Sequence, residues 1–156
     1  MIPEINAYLE ELNVLRGKVL QTLEDLTPEA WNWTPLENDA NSLFVLATHM
    51  IGSEHGWIFE ILGEGDKTRN RPAEFTARAI DLGELHARYA RVAAETTAVL
   101  ENRTASDLAG TRHREGYGDI SERWIILHII AHYGEHLGQM YLTRQLWEKT
   151  KSKVDD

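Results

Sequence analysis

Apolar residues recur at intervals of three and four along four long stretches of the chain, the spacing of amphipathic helices. The first stretch, from Pro3 to about Asp25, carries Ile5, Leu9, Leu12, Leu15, Val19 and Leu23. Pro3 suits a first helical turn. Thr27-Pro28 reads as a cap and a first-turn proline, opening a short turn through Trp31. The second stretch starts at the capping residues Asn41 and Ser42 and runs to about Leu62, with Leu43, Leu46, Met50, Trp57, Ile58 and Ile61; Gly63 and Gly65 end it. The third starts at Asp81, with Glu84 spaced to reach back in a capping box, and its inner stripe is Leu82, Leu85, Tyr89, Val92, Thr96 and Val99. The fourth opens near Asp119 and continues to about Lys149. Between them, residues 63–80 read as a loop, and residues 102–118 as a second loop with a helical turn from Thr104 to Leu108. No stretch alternates as a strand does. The pattern predicts an all-α four-helix bundle with long loops between helices 2 and 3 and between helices 3 and 4. One bundle domain spans residues 1–150, and 151–156 form a polar tail.

The inner stripe of the fourth helix is not plain hydrocarbon. His128, His132 and His136 follow at four-residue intervals, each about 40° around the helix from the next. Neighbours at i and i+4 reach a common ion, and imidazole is the commonest metal ligand among side chains. Three such rings span about 12 Å along the axis, too far for one ion to meet all. The pair His132 and His136 is therefore the candidate, with His128 as lining. His49, in the apolar run of the second helix, is the natural third ligand. Its stripe holds Ser42, Leu46, Gly52, Ser53 and Gly56, small residues that leave space beside the ring. His55, His86 and His113 read as surface or loop residues. The competing explanation is that these are hydrogen-bonded core histidines, and spacing alone leaves the two about even. Gly134 and Gly138, one turn apart, suit close approach of a neighbouring helix. Trp31 and Trp33, just before the second helix, are placed to roof a pocket, although core packing suits them better.

Composition narrows the chemistry. The chain has 156 residues and a formal net charge of -9, so it repels phosphate backbones and anionic membranes, and nucleic acid and membrane are not expected partners. No apolar run approaches the ~20 residues that span a bilayer. The N-terminus lacks signal-peptide character, and a cytoplasmic location is expected. There is no cysteine, which excludes disulfides, thiolate ligands and a cysteine nucleophile.

The segment His132-Tyr-Gly-Glu-His136-Leu-Gly-Gln139 resembles the helix-four motif H-x-x-x-H-x-G-Q of the DinB-like (DinB/YfiT-like) family of bacterial metal-binding four-helix bundles. Trp31-Asn-Trp33-Thr-Pro35, then Asn41-Ser42, His49 and Gly52-Ser53-Glu54, is similar to that family's second region. The resemblance implies His49, His132 and His136 as ligands of a divalent ion, nickel or zinc, with open coordination positions. It also implies a homodimer. Leu137 departs from the pattern, since many relatives carry arginine there.

Three neutral imidazoles leave at least one position free, the form of catalytic rather than structural zinc sites. That position holds a water or a thiolate and keeps it ionised. A thiol must come from outside a cysteine-free chain. Some relatives in the wider superfamily are thiol-dependent transferases or isomerases, so the leading expectation is a metal-dependent transferase joining a low-molecular-weight thiol to a small molecule. Glu54 and Glu135 are the candidates to support the ligand histidines from behind or to act as base. The alternatives are a metal-dependent hydrolase and a non-catalytic binding protein with a structural or vestigial metal. A di-iron carboxylate site is disfavoured, because it needs Glu-x-x-His units and the residues three before His49, His132 and His136 are Leu46, Ile129 and Tyr133.

Overall fold

Helix α1 (Pro3–Leu23) begins with its proline in the first turn and buries Ile5, Leu9, Leu12, Leu15, Val19 and Leu23, the stripe expected from the sequence. Asp25 just beyond it takes a positive φ of 60°, a conformation that asparagine and aspartate tolerate better than most residues. The computed structural model describes residues 1–38 and 40–152. The expected tail from residue 153 onward lies outside them.

A short helix α2 (Pro28–Asn32) is capped by the Thr27 hydroxyl. Helix α3 (Leu43–Glu54) is capped by Ser42 and continues without a break as a π-helical segment (His55–Leu62). The wider winding shows in the Gly63 amide, which donates to the Ile58 carbonyl five residues back at 2.8 Å. Such segments are rare and frequently accompany functional sites.

The stretch read as an unstructured loop contains helix α4 (Arg71–Glu74), capped by Asn70 and carrying Pro72 in its first turn. Helix α5 (Gly83–Leu100) starts two residues later than expected. It has no capping box; Asp81 accepts from the Gly83 amide at 2.8 Å, and Glu84 is exposed. Helix α6 (Ala105–Ala109) does have one, formed by Thr104 and Asp107.

The absence of strands is corrected by a small hairpin, β1 (Thr111–Arg114) with antiparallel β2 (Gly118–Ser121). Its tight turn needs positive φ at Gly116 and Gly118. Ile120 is the only buried residue of the hairpin, so no alternation marks it in the sequence. Helix α7 (Glu122–Lys151) is capped by Ser121, two residues after the predicted opening.

Helices α1, α3, α5 and α7 with the π-segment form the four-helix bundle. Helix α7 packs on α1 and α3, while α5 packs on α1, α3 and the π-segment. A polar knot ties all four together. Glu54 is fully buried and receives hydrogen bonds from Arg16 of α1, Thr96 of α5 (2.6 Å) and Tyr133 of α7 (2.8 Å). Burial and the Glu54 charge push the Tyr133 hydroxyl well above its ordinary pKa, which keeps it a donor. The knot satisfies every one of these groups, the condition under which a buried ion pair is tolerable.

Gly134 and Gly138 were expected to admit a neighbouring helix. Both are exposed, and a Cβ on either meets nothing within 4 Å, so they face away from the rest of the chain.

Candidate metal centre

Helix periodicity places His132 and His136 one turn apart on α7, and the packing of α3 on α7 brings His49 across to them. The Nε2 atoms of His49 and His132 lie 3.1 Å apart, as do those of His132 and His136. One ligand nitrogen from each of the three falls within 4.8 Å of the others. Nitrogens held about 2.0–2.1 Å from a tetrahedral ion stand about 3.3–3.4 Å from one another, so the spacing fits one ion.

The protons support the same conclusion. His49 Nδ1 lies 2.9 Å from the Glu74 carboxylate, which can only accept, so Nδ1 carries a hydrogen and, in the neutral ring, Nε2 is bare. His136 Nδ1 donates to Gln139 Oε1 at 2.8 Å, with the same consequence. Both bare nitrogens point at His132 Nε2, which has at most one hydrogen to give. If His132 gives that hydrogen, its own Nδ1 is left bare, and this buried atom has no hydrogen-bond partner among the described residues. Burial, then the neighbouring His136 and His49, hold the His132 pKa down to about 3, so a second proton does not relieve the conflict. With His49 and His136 neutral, a cation among the three lone pairs does. The residues therefore fit a divalent ion.

Glu74 was not among the residues singled out from the sequence. It is delivered by α4 and is 2% exposed. Arg69 holds its other face with two hydrogen bonds of 2.7 and 2.9 Å. Burial raises the Glu74 pKa, but the bonds from Arg69 and His49 outweigh it and keep the carboxyl below its ordinary range. Hydrogen bonding of a ligating imidazole to a carboxylate is the usual outer shell of a metal site; it fixes the tautomer and raises basicity. The space beside His49 that the small residues promised is not a ligand pocket. A Cβ on Gly52 would stand 2.2 Å from Glu74 Oε1, and one on Gly56 would stand 2.8 Å from Arg69 Cδ. The two glycines make room for this carboxylate and guanidinium.

The other expectations divide. His128 lies beside the group but not in it, its ring 6.2 Å from that of His132, as expected of lining. Glu54 neither steadies a ligand histidine nor serves as a base: the polar knot consumes it. Glu135 is exposed and makes no hydrogen bond to the triad. Trp31 and Trp33 do not roof the site. The Trp31 indole donates to the Leu23 carbonyl, and Trp33 packs on Trp147. The aromatic ring on the triad is Phe75, 4.9 Å from His49 and overlain by Arg71. His55 is not a surface residue. It bonds Glu95 and Thr68 and stacks on Phe59, pinning the loop after the π-segment to α5. His86 and His113 are exposed, as expected. A cavity of about 860 Å³ opens between α3, α4 and α5, but it lies on the far side of Glu74 and none of the three histidines lines it.

The chain from residue 7 to residue 149 matches the family model described as mycothiol-S-transferase. Comparison with curated proteins returned no match. Among solved structures, a conserved protein from Enterococcus faecalis superposes with a TM-score of 0.76 over 94% of this chain and 98% of its own, at 17% identity, a likeness of fold.

Proposed function

The chain belongs to the mycothiol S-transferase family, and from that premise we propose that it joins a low-molecular-weight thiol to a small electrophile, using nickel or zinc held by His49, His132 and His136. The observation that carries this is the convergence of three imidazole nitrogens at a spacing that one cation fits. In the reaction R–SH and R′–X give R–S–R′ and HX: a C–S bond forms, the C–X bond breaks, and the thiol proton leaves with X. When bound, the ion lowers the pKa of a thiol and keeps it ionised at neutral pH.

The chain's own residues do the rest. Glu74 and Gln139 hold His49 and His136 with their Nε2 atoms free. Arg69 holds Glu74 in place. Phe75 covers one side of His49 and sheds water from it. The chain has no cysteine to compete for the ion or the electrophile. No helix among the described residues is long and apolar enough to cross a membrane. The exposed face of α7, with Leu127, Tyr141, Leu142 and Leu146 around the two glycines, supports a homodimer; light scattering of the purified protein tests it, and a monomer mass refutes it.

The test of activity is a panel of thiols, mycothiol and bacillithiol among them, with alkylating electrophiles and zinc- or nickel-loaded protein. The expected result is product formation that requires the thiol and is lost in His132→Ala. Turnover without thiol would mean hydrolysis instead. No turnover across the panel, with the metal bound, would overturn the proposal and leave a binding protein.

A further inference from the structure

Beside the triad stands an aromatic wall that the thiol-transfer reading leaves unused. Along α7, Trp124 stacks flat on His128, with centroids 4.8 Å apart and planes within 7°. Trp57 of the π-segment meets both edge-on, at 6.0 and 5.1 Å. The hairpin turn brings Tyr117 against Trp57 and Trp124, at 5.2 and 5.6 Å. Were this packing alone, the rings would be covered. Instead Tyr117 is 51% exposed and Trp124 37%.

The wall also carries a charge that suits a ligand. The Arg114 guanidinium lies over the Trp57 ring, 5.0 Å from its centre. It makes no hydrogen bond or ion pair among the described residues, whereas the other hairpin arginine, Arg112, pairs with both Glu64 and Glu122. A free guanidinium against an aromatic face, on a protein of net charge -9, is a local site for an anion. Arginine recognises carboxylates and similar planar anions with two parallel hydrogen bonds.

We propose that this wall binds the electrophile and that the electrophile is an aromatic molecule bearing an anionic group, its ring against Tyr117 and Trp124 and its anion on Arg114. The role as electrophile site rests on the thiol-transfer reading; the binding of an aromatic anion rests on the wall. His128 lies between the two, its ring 4.8 Å from that of Trp124 and 6.2 Å from that of His132.

Calorimetric titration of 2-naphthoate, its decahydro analogue and 2-naphthamide into the protein tests the claim. Naphthoate should bind at least tenfold tighter than either of the others. Arg114→Ala should erase the advantage over the amide. Tyr117→Ala should reduce the advantage over the saturated acid by about 2- to 10-fold, the scale of one aromatic contact. Tyr117→Leu keeps the apolar bulk and should show the same loss, which separates ring stacking from a collapsed hairpin. His132→Ala should retain naphthoate binding, which excludes simple ligation of the carboxylate by the ion. Equal affinity for the three compounds, or unchanged titrations in the Arg114 and Tyr117 variants, would overturn the proposal. Naphthoate binding without thiol transfer to any electrophile would refute the thiol-transfer reading alone. Thiol transfer indifferent to aromatic and charged substituents would refute this inference alone.

Discussion

Replacing Glu74 by alanine removes the acceptor of the His49 Nδ1–H bond, 2.9 Å long and buried. Two consequences follow for a metal held by Nε2. His49 loses the group that fixes its tautomer, so the Nδ1-bare form competes. It also loses the negative charge that makes Nε2 a better donor. Loss of an outer-shell partner of this kind lowers metal affinity about 10- to 100-fold, which is about 1.4–2.7 kcal/mol. The same substitution leaves the Arg69 guanidinium, 16% exposed, without its two acceptors. Arg69→Met isolates that contribution: it frees Glu74 on one side only and leaves the bond to His49. The affinity should fall less in Arg69→Met than in Glu74→Ala, and Glu74→Gln, which retains one acceptor oxygen, should lie between wild type and alanine. Competition with a chromophoric chelator, using zinc and then nickel, measures all of these on folded protein. A Glu74→Ala affinity within threefold of wild type would refute the assignment of Glu74 to the metal ligand, and an equal loss in Arg69→Met would move the cause to the arginine.

Gly52→Ala places a methyl group 2.2 Å from Glu74 Oε1, so Glu74 must withdraw and metal affinity should fall toward that of Glu74→Ala; Gly17→Ala, with nothing within 4 Å, is the control, and equal behaviour of the two would refute the packing argument. Glu54→Ala strands the Arg16 guanidinium, 5% exposed, inside the bundle; breaking a buried pair this way costs about 3–5 kcal/mol, a drop in melting temperature of roughly 6–20 °C for a chain of this size, and Arg16→Met in the same background should recover part of it. His132→Ala should abolish stoichiometric zinc binding in elemental analysis while raising the melting temperature of the metal-free protein or leaving it unchanged, because the lone-pair conflict goes with it; a large loss of apo stability would return His132 to the role of a core residue.

The residues that could be found in the sequence and those that could not differ in how their partners are encoded. The four bundle helices follow from stripes such as Ile5-Leu9-Leu12, because each helix reports its own buried face through a local period. His132 and His136 follow from the same period, since one turn of helix places both rings. His49 could be joined to them only by chemistry, as another imidazole on an apolar face. Glu74 had no such signal. It sits in a four-residue helix among Gly, Asp, Asn and Pro, where an acidic residue reads as solvated loop, and its partner in sequence terms is a histidine 25 residues earlier. The trace it leaves lies elsewhere, in Gly52 and Gly56. Two glycines four apart inside an apolar helix cost about 1 kcal/mol each relative to alanine, so something must occupy the volume their missing side chains vacate. In the sequence alone that volume reads as space for a ligand, because a metal is the one group in view. The fold fills it with Glu74 and Arg69, and Glu54, the acid nearest those glycines in sequence, is drawn to the opposite side by Arg16. A helix carries one acid away from the histidine and leaves room for another to be brought in. The orientation of His49 therefore depends on a loop helix that no helical period predicts.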